Sequence, residues 1–140
     1  MSTILRGYTS TENHALLQSS ELNIDIKSPE DDRIDFIIDV TDKDFQDFNG
    51  QIKDTIRFLT GNFSQLSDLK NKVADLKWEV DYGYNTKVAT GELAVEGLHF
   101  PLQLLSLCTE LKLEILVSLY DGNLFGWKKE ARCCEPGSAF

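Results

Sequence analysis

"PEDDRIDFIIDVTDKDFQDF", residues 29–48, holds a change of period from which the fold can be worked out. Ile34, Phe36, Ile38 and Val40 alternate with polar or opposite-facing residues, the period-two pattern of a strand, here residues 33–40. Beyond Thr41 the spacing lengthens. Phe45, Phe48, Ile52, Ile56, Leu59 and Phe63 recur three or four apart, a single apolar stripe on a helix. Thr41 or Asp42 is the expected N-terminal cap and Gly61 the expected stop. Gly50 lies inside the pattern and predicts a kink or a close contact.

Upstream, Leu22, Ile24 and Ile26 alternate in "ELNIDIK", and "SPEDD" supplies turn chemistry, so residues 21–40 read as a hairpin. Residues 1–20 carry no strong period and are expected to form a polar arm, with a short helix around Ala15–Leu17. Downstream, Leu66, Leu69 and Val73 mark a second helical piece. "LKWEVDYGYN" (76–85) returns to period two, and "KVATGELAVEG" (87–97) is a weaker strand pattern. Pro101 opens a leucine-rich helix to residue 112, and "LEILVSLYDGN" (113–123) is a strand closed by a turn. "LFGW" (124–127) is a candidate short strand pairing back.

The order ββα(α)ββαβ lacks regular βα alternation. It predicts an α+β fold with an antiparallel or mixed sheet of five to six strands and two main helices on one face. Residues 33–121 read as a split βαβ core. The expected organisation is a polar arm (1–20), one α+β domain (21–127) and a polar tail (128–140). The sheet's second face would meet solvent or a partner.

Chemistry is sparse. His14 and His99 lack neighbours that define a triad. "DVTDKDFQDFNG" fails as a calcium loop, because Phe45 takes a ligand position and Gly50 comes too late. Neither GxxxxGK nor GxGxxG occurs. The expectation is therefore no catalytic residue, no metal and no cofactor. Cys108 sits in an apolar helix; Cys133 and Cys134 are adjacent thiols in the tail, without the spacing of a disulfide framework. No apolar run reaches the roughly 18 residues a membrane span needs, and the N-terminus lacks a secretory pattern, which predicts a cytoplasmic protein.

Charge is the remaining signal. The formal net charge is −9, the wrong sign for binding phosphate backbones or anionic membranes. Residues 21–47 alone hold ten acids against three bases. Glu30, Asp31, Asp32, Asp35, Asp39, Asp42, Asp44 and Asp47, with Ile37 as an apolar centre, are the candidate surface for a cationic partner. A solvated face that aids solubility is the competing explanation of such a run.

In size, charge and this acidic 29–47 front, the chain resembles the immunity proteins of bacterial polymorphic toxin systems, including contact-dependent growth inhibition. Residues 97–123 also look like the closing helix and strand of an uncharacterised bacterial α+β family. The first resemblance implies binding to a basic cognate toxin domain, such as a nuclease, by a protein that is a monomer or weak dimer when free. Two alternatives remain: a small enzyme with His99 or paired acids as general base, and a self-associating structural or ligand-sensing domain.

Overall fold

The computed structural model describes residues 1–88 and 91–120. The expected α+β architecture is present: one open, mixed five-stranded sheet with its helices against one face. The strands are β1 (Thr3–Ser10), β2 (Asp25–Ile26), β3 (Arg33–Thr41), β4 (Lys77–Asn85) and β5 (Glu114–Tyr120), in the order β2-β3-β1-β4-β5. The helices are α1 (His14–Gln18), α2 (Phe48–Gly61), α3 (Phe63–Lys72) and α4 (Leu102–Leu111). β1 runs antiparallel to both β3 and β4, while β5 joins β4 in parallel after the α4 crossover.

Four expectations need correction. The supposed polar arm contains β1, the central strand of the sheet. Its inner face carries Thr3, Leu5, Gly7 and Thr9, so the apolar alternation that signals a strand is missing. Gly7 stands opposite Phe36 on one side and Trp78 on the other. A Cβ at Gly7 would lie 2.8 Å from Phe36 Cζ, 2.8 Å from Trp78 Cβ and 2.6 Å from the Lys77 carbonyl oxygen. The large rings of the flanking strands thus fill the space above a small residue.

The strand expected over residues 21–27 shrinks to two paired residues, Asp25 and Ile26. Residues 87–97 form no strand among those described; Glu96 instead accepts from the Tyr84 hydroxyl and, at 2.8 Å, from the Lys87 amide. Finally, α2 begins at Phe48, capped by Asp47, whose carboxylate accepts from the Gly50 amide at 2.9 Å. Thr41 ends β3 instead, donating its hydroxyl to Asp54 at 2.7 Å. Phe45 leaves the helical stripe to pack over Gly83, where a Cβ would meet its ring at 2.6 Å, and edge-on against Tyr120.

The core lies between the sheet's inner face and the helices. Ile34, Phe36, Val80 and Tyr82 meet Leu59, Leu66 and Leu104, all buried. Gln51 is buried among them, accepting from the Thr3 hydroxyl at 2.7 Å and donating to the Gly83 carbonyl at 2.9 Å. It ties α2 to β1 and β4, and its full complement of partners offsets the cost of burying an amide. Residues 124–127, the 128–140 tail, Cys133 and Cys134 lie outside the described residues.

Candidate functional site: the open face of the sheet

Helices cover one side of the sheet, so the side chains of the opposite parity form an open face. Strand pairing sets its rows. Asp35, Tyr8 and Lys77 lie side by side; then come Asp25, Ile37, Arg6, Glu79 and Glu114; then Asp39, Ile4, Asp81 and Leu116. Ile4 and Ile37 are half-buried and Leu116 is exposed. Arg6 anchors the centre, with Nε 2.9 Å from Glu79 and a terminal nitrogen 3.1 Å from Asp81. The Glu79 hydrogen bond raises the arginine's pKa further, despite partial desolvation. Ser118 donates to the other oxygen of Asp81 at 2.8 Å.

The nine residues proposed from sequence do not form one front. Glu30, Asp31 and Asp32 make the tight turn into β3, where Glu30 and Arg33 exchange backbone hydrogen bonds and Asp31 takes a left-handed φ of 56°. Aspartate tolerates that conformation better than most side chains. Asp42, Asp44 and Asp47 lie past the other end of the strand. Eight residue steps at about 3.3 Å separate Arg33 from Thr41, roughly 26 Å. Between these poles, Asp35, Ile37 and Asp39 do share the open face, as alternation requires.

Local work also occupies several of these acids. Asp35 pairs with Arg33 at 2.6 Å, and that guanidinium stacks 3.8 Å above the Tyr8 ring. Asp44 accepts from the Gln46 amide at 2.8 Å, and Asp47 caps α2. Asp39 and Asp42 are exposed and form no ion pair among the described residues.

At the β3 start of the open face the charge reverses. A shallow concavity of about 810 Å³ is lined by Arg6, Lys27, Arg33, Lys70, Lys77 and Lys112, against three carboxylates, Asp35, Glu79 and Glu114. Sequence reading missed this cluster because Lys70, Lys77 and Lys112 come from the end of α3, the start of β4 and the end of α4. No local pattern links them.

Other chemistry stays apart. His99 is exposed and His14 half-exposed. Among the described residues, no group of three or more His, Cys, Asp or Glu side chains is placed to hold a metal ion. Burial pushes the Cys108 thiol up to about 11, which keeps it protonated and unreactive at neutral pH. No described helix is long and apolar enough to cross a membrane. No family model matches the chain, and the comparisons with curated proteins and with solved structures return no match either.

Proposed function

We propose that this protein is a binding module of the immunity type, which neutralises a basic toxin domain by direct complex formation. The docking surface is the pole where β3 ends, with Asp39 and Asp42 at its centre, Asp44 and Asp47 at its rim, and Ile4, Ile37 and Leu116 beside it on the open face. The observation that carries this reading is that, among the described residues, Asp39 and Asp42 are exposed and form no ion pair, beside apolar side chains on the sheet face away from the helices. Lys43 is the one base in this stretch of the chain, and acids outnumber it. Complementary charge speeds encounter, and the apolar centre supplies the desolvated contact that holds the complex.

The test is co-purification with the product of the neighbouring reading frame, expected to carry a basic toxin domain, followed by stopped-flow association at several salt concentrations. A one-to-one complex is expected, whose association rate falls with salt. Asp39→Lys with Asp42→Lys should lower that rate by roughly tenfold or more. A rate unchanged by the double reversal would remove this pole from the interface.

A further inference from the structure

We propose that Lys70, Lys77 and Lys112 form a binding site for a multiply charged phosphate group on a small ligand, at the opposite end of the open face from the acidic pole. The placement follows from strand pairing. Glu79 and Glu114 are partners where the parallel β4–β5 ladder begins, and Lys77 and Lys112, two residues before each, line the same concavity. Both stems are long and flexible, so ammonium groups that line one concavity can reach one phosphate. Trp78 Nε1 donates to the Leu111 carbonyl at 2.9 Å and locks the end of α4 against the start of β4. Lys70 completes the set: its ammonium donates to the Leu76 carbonyl at 2.8 Å, which directs it into the same concavity.

The other cations of this concavity are already committed. Arg6 pairs with Glu79 and Asp81, Lys27 with Asp25, and Arg33 with Asp35. None of the three lysines forms an ion pair among the described residues, in a chain whose formal charge is −9. Burial lowers the pKa of Lys70 and the nearby charges of Lys77 and Lys112 lower it further, against a smaller opposing effect of Asp75, so Lys70 is repelled by the other two. Glu114, one pleat away and exposed, offsets part of this charge.

Helix ends account for two members only. Lys70 and Lys112 sit at the C-termini of α3 and α4, where a cation is favourable. Lys77 belongs to no helix. Lys112 also holds a left-handed backbone, φ 55° and ψ 41°, at a position where glycine is the unstrained choice. Three charges suit a pyrophosphate-like group better than a single carboxylate, and the concavity leaves room for the rest of a small molecule.

The experiment uses the full chain and pyrophosphate, with acetate at matched ionic strength as comparator. Saturable amide shifts around Lys77 and Leu113 are expected in a ¹H–¹⁵N titration, together with a melting temperature that rises with pyrophosphate. Lys77→Gln with Lys112→Gln should weaken binding roughly tenfold or more. Because both side chains are exposed, that variant should fold and be at least as stable as the wild type without ligand, since repulsion is relieved. Asp39→Lys, at the distant pole, should bind pyrophosphate at least as well, which separates this site from the proposed protein interface. Non-saturating shifts, an equal response to acetate, or equal binding by the double glutamine variant would overturn the proposal. So would a double variant that is less stable without ligand yet gains as much from pyrophosphate, since Lys112 would then serve the end of α4 and neither side chain the ligand.

Discussion

Replacing Gly7 by alanine tests the centre of the sheet directly. The added Cβ would meet a backbone oxygen at 2.6 Å and two core side chains at 2.8 Å. Ordinary carbon contacts lie at about 3.5–4.0 Å, so roughly 1 Å of movement is required on three sides. The Lys77 carbonyl is not free to rotate away, because Lys77 is paired with Tyr8 in the β1–β4 ladder. Overpacking of this kind costs about 1–3 kcal/mol and sometimes more. The reduced entropy of the unfolded chain returns about 0.4–1 kcal/mol. A net loss of about 2 kcal/mol is expected, a large share of the 5–15 kcal/mol typical of a domain. Urea unfolding should show a lower midpoint at constant slope, and the melting temperature should fall by roughly 6–8 °C. Gly61→Ala is the control: nothing lies within 4 Å of its Cβ at the end of α2, so stability should rise by up to about 1 kcal/mol. Phe36→Leu in the Gly7→Ala background should not restore the wild-type midpoint, since the carbonyl clash persists. If Gly7→Ala fell within about 0.5 kcal/mol of the wild type, the described pairing of Gly7 with Phe36 and Trp78 would be wrong.

Other perturbations address the polar interior and the ionisable groups. Gln51→Leu leaves the Thr3 hydroxyl and the Gly83 carbonyl without their buried partner, and should cost about 2–4 kcal/mol by chemical denaturation; a neutral result would dissolve the proposed link between α2, β1 and β4. Tyr82→Phe should stay within about 1 kcal/mol of the wild type, because among the described residues the buried Tyr82 hydroxyl has no well-formed hydrogen bond, its one neighbouring acceptor being the Thr55 hydroxyl, which itself donates to the Gln51 carbonyl at 2.7 Å. A clear loss would show a partner for that hydroxyl. Asp75 accepts from the Ser10 and Thr9 hydroxyls, and these bonds hold its pKa below the usual carboxylate value. Its contribution is therefore present above the unfolded pKa of about 3.9 and is lost as pH falls through the lower folded value. Asp75→Asn should flatten the acid limb of the stability profile, whereas parallel wild-type and variant curves would rule out this linkage. In a Cys133→Ser, Cys134→Ser background, Cys108 should resist a thiol reagent at pH 8 until the protein unfolds; rapid labelling of the native state would contradict its burial.

β3 and most of the α2 stripe were legible in the sequence because each follows one period cleanly. Phe48, Ile52 and Leu59 are buried as their spacing requires. β1 was illegible for a physical reason: of its inward residues only Leu5 is large and apolar, Gly7 is small because Phe36 and Trp78 fill the space above it, and hydrophobic periodicity records only the strand's own side chains. Phe45 misled in the opposite direction, since its spacing matches the helix while its ring is spent over Gly83. Of the candidate surface, alternation correctly placed Asp35, Ile37 and Asp39 on one face. That the outer acids would sit at opposite ends of the strand follows from its length, and so was available from sequence. The lysine cluster was not, because three separate elements build it.

The position of β1 has a consequence for biosynthesis. β1 precedes both strands it pairs with, and Thr3 pairs with both Thr41 and Tyr82. One edge of β1 can pair with β3 as soon as that strand is made, but its other edge must wait for β4, Lys77–Asn85. Closure of β4 onto that edge is then the late event that joins β2–β3–β1 to β4–β5 in one continuous sheet. Contacts so distant in sequence slow folding, and a nascent chain lacking β4 would expose the unfilled flank of β1 to other chains.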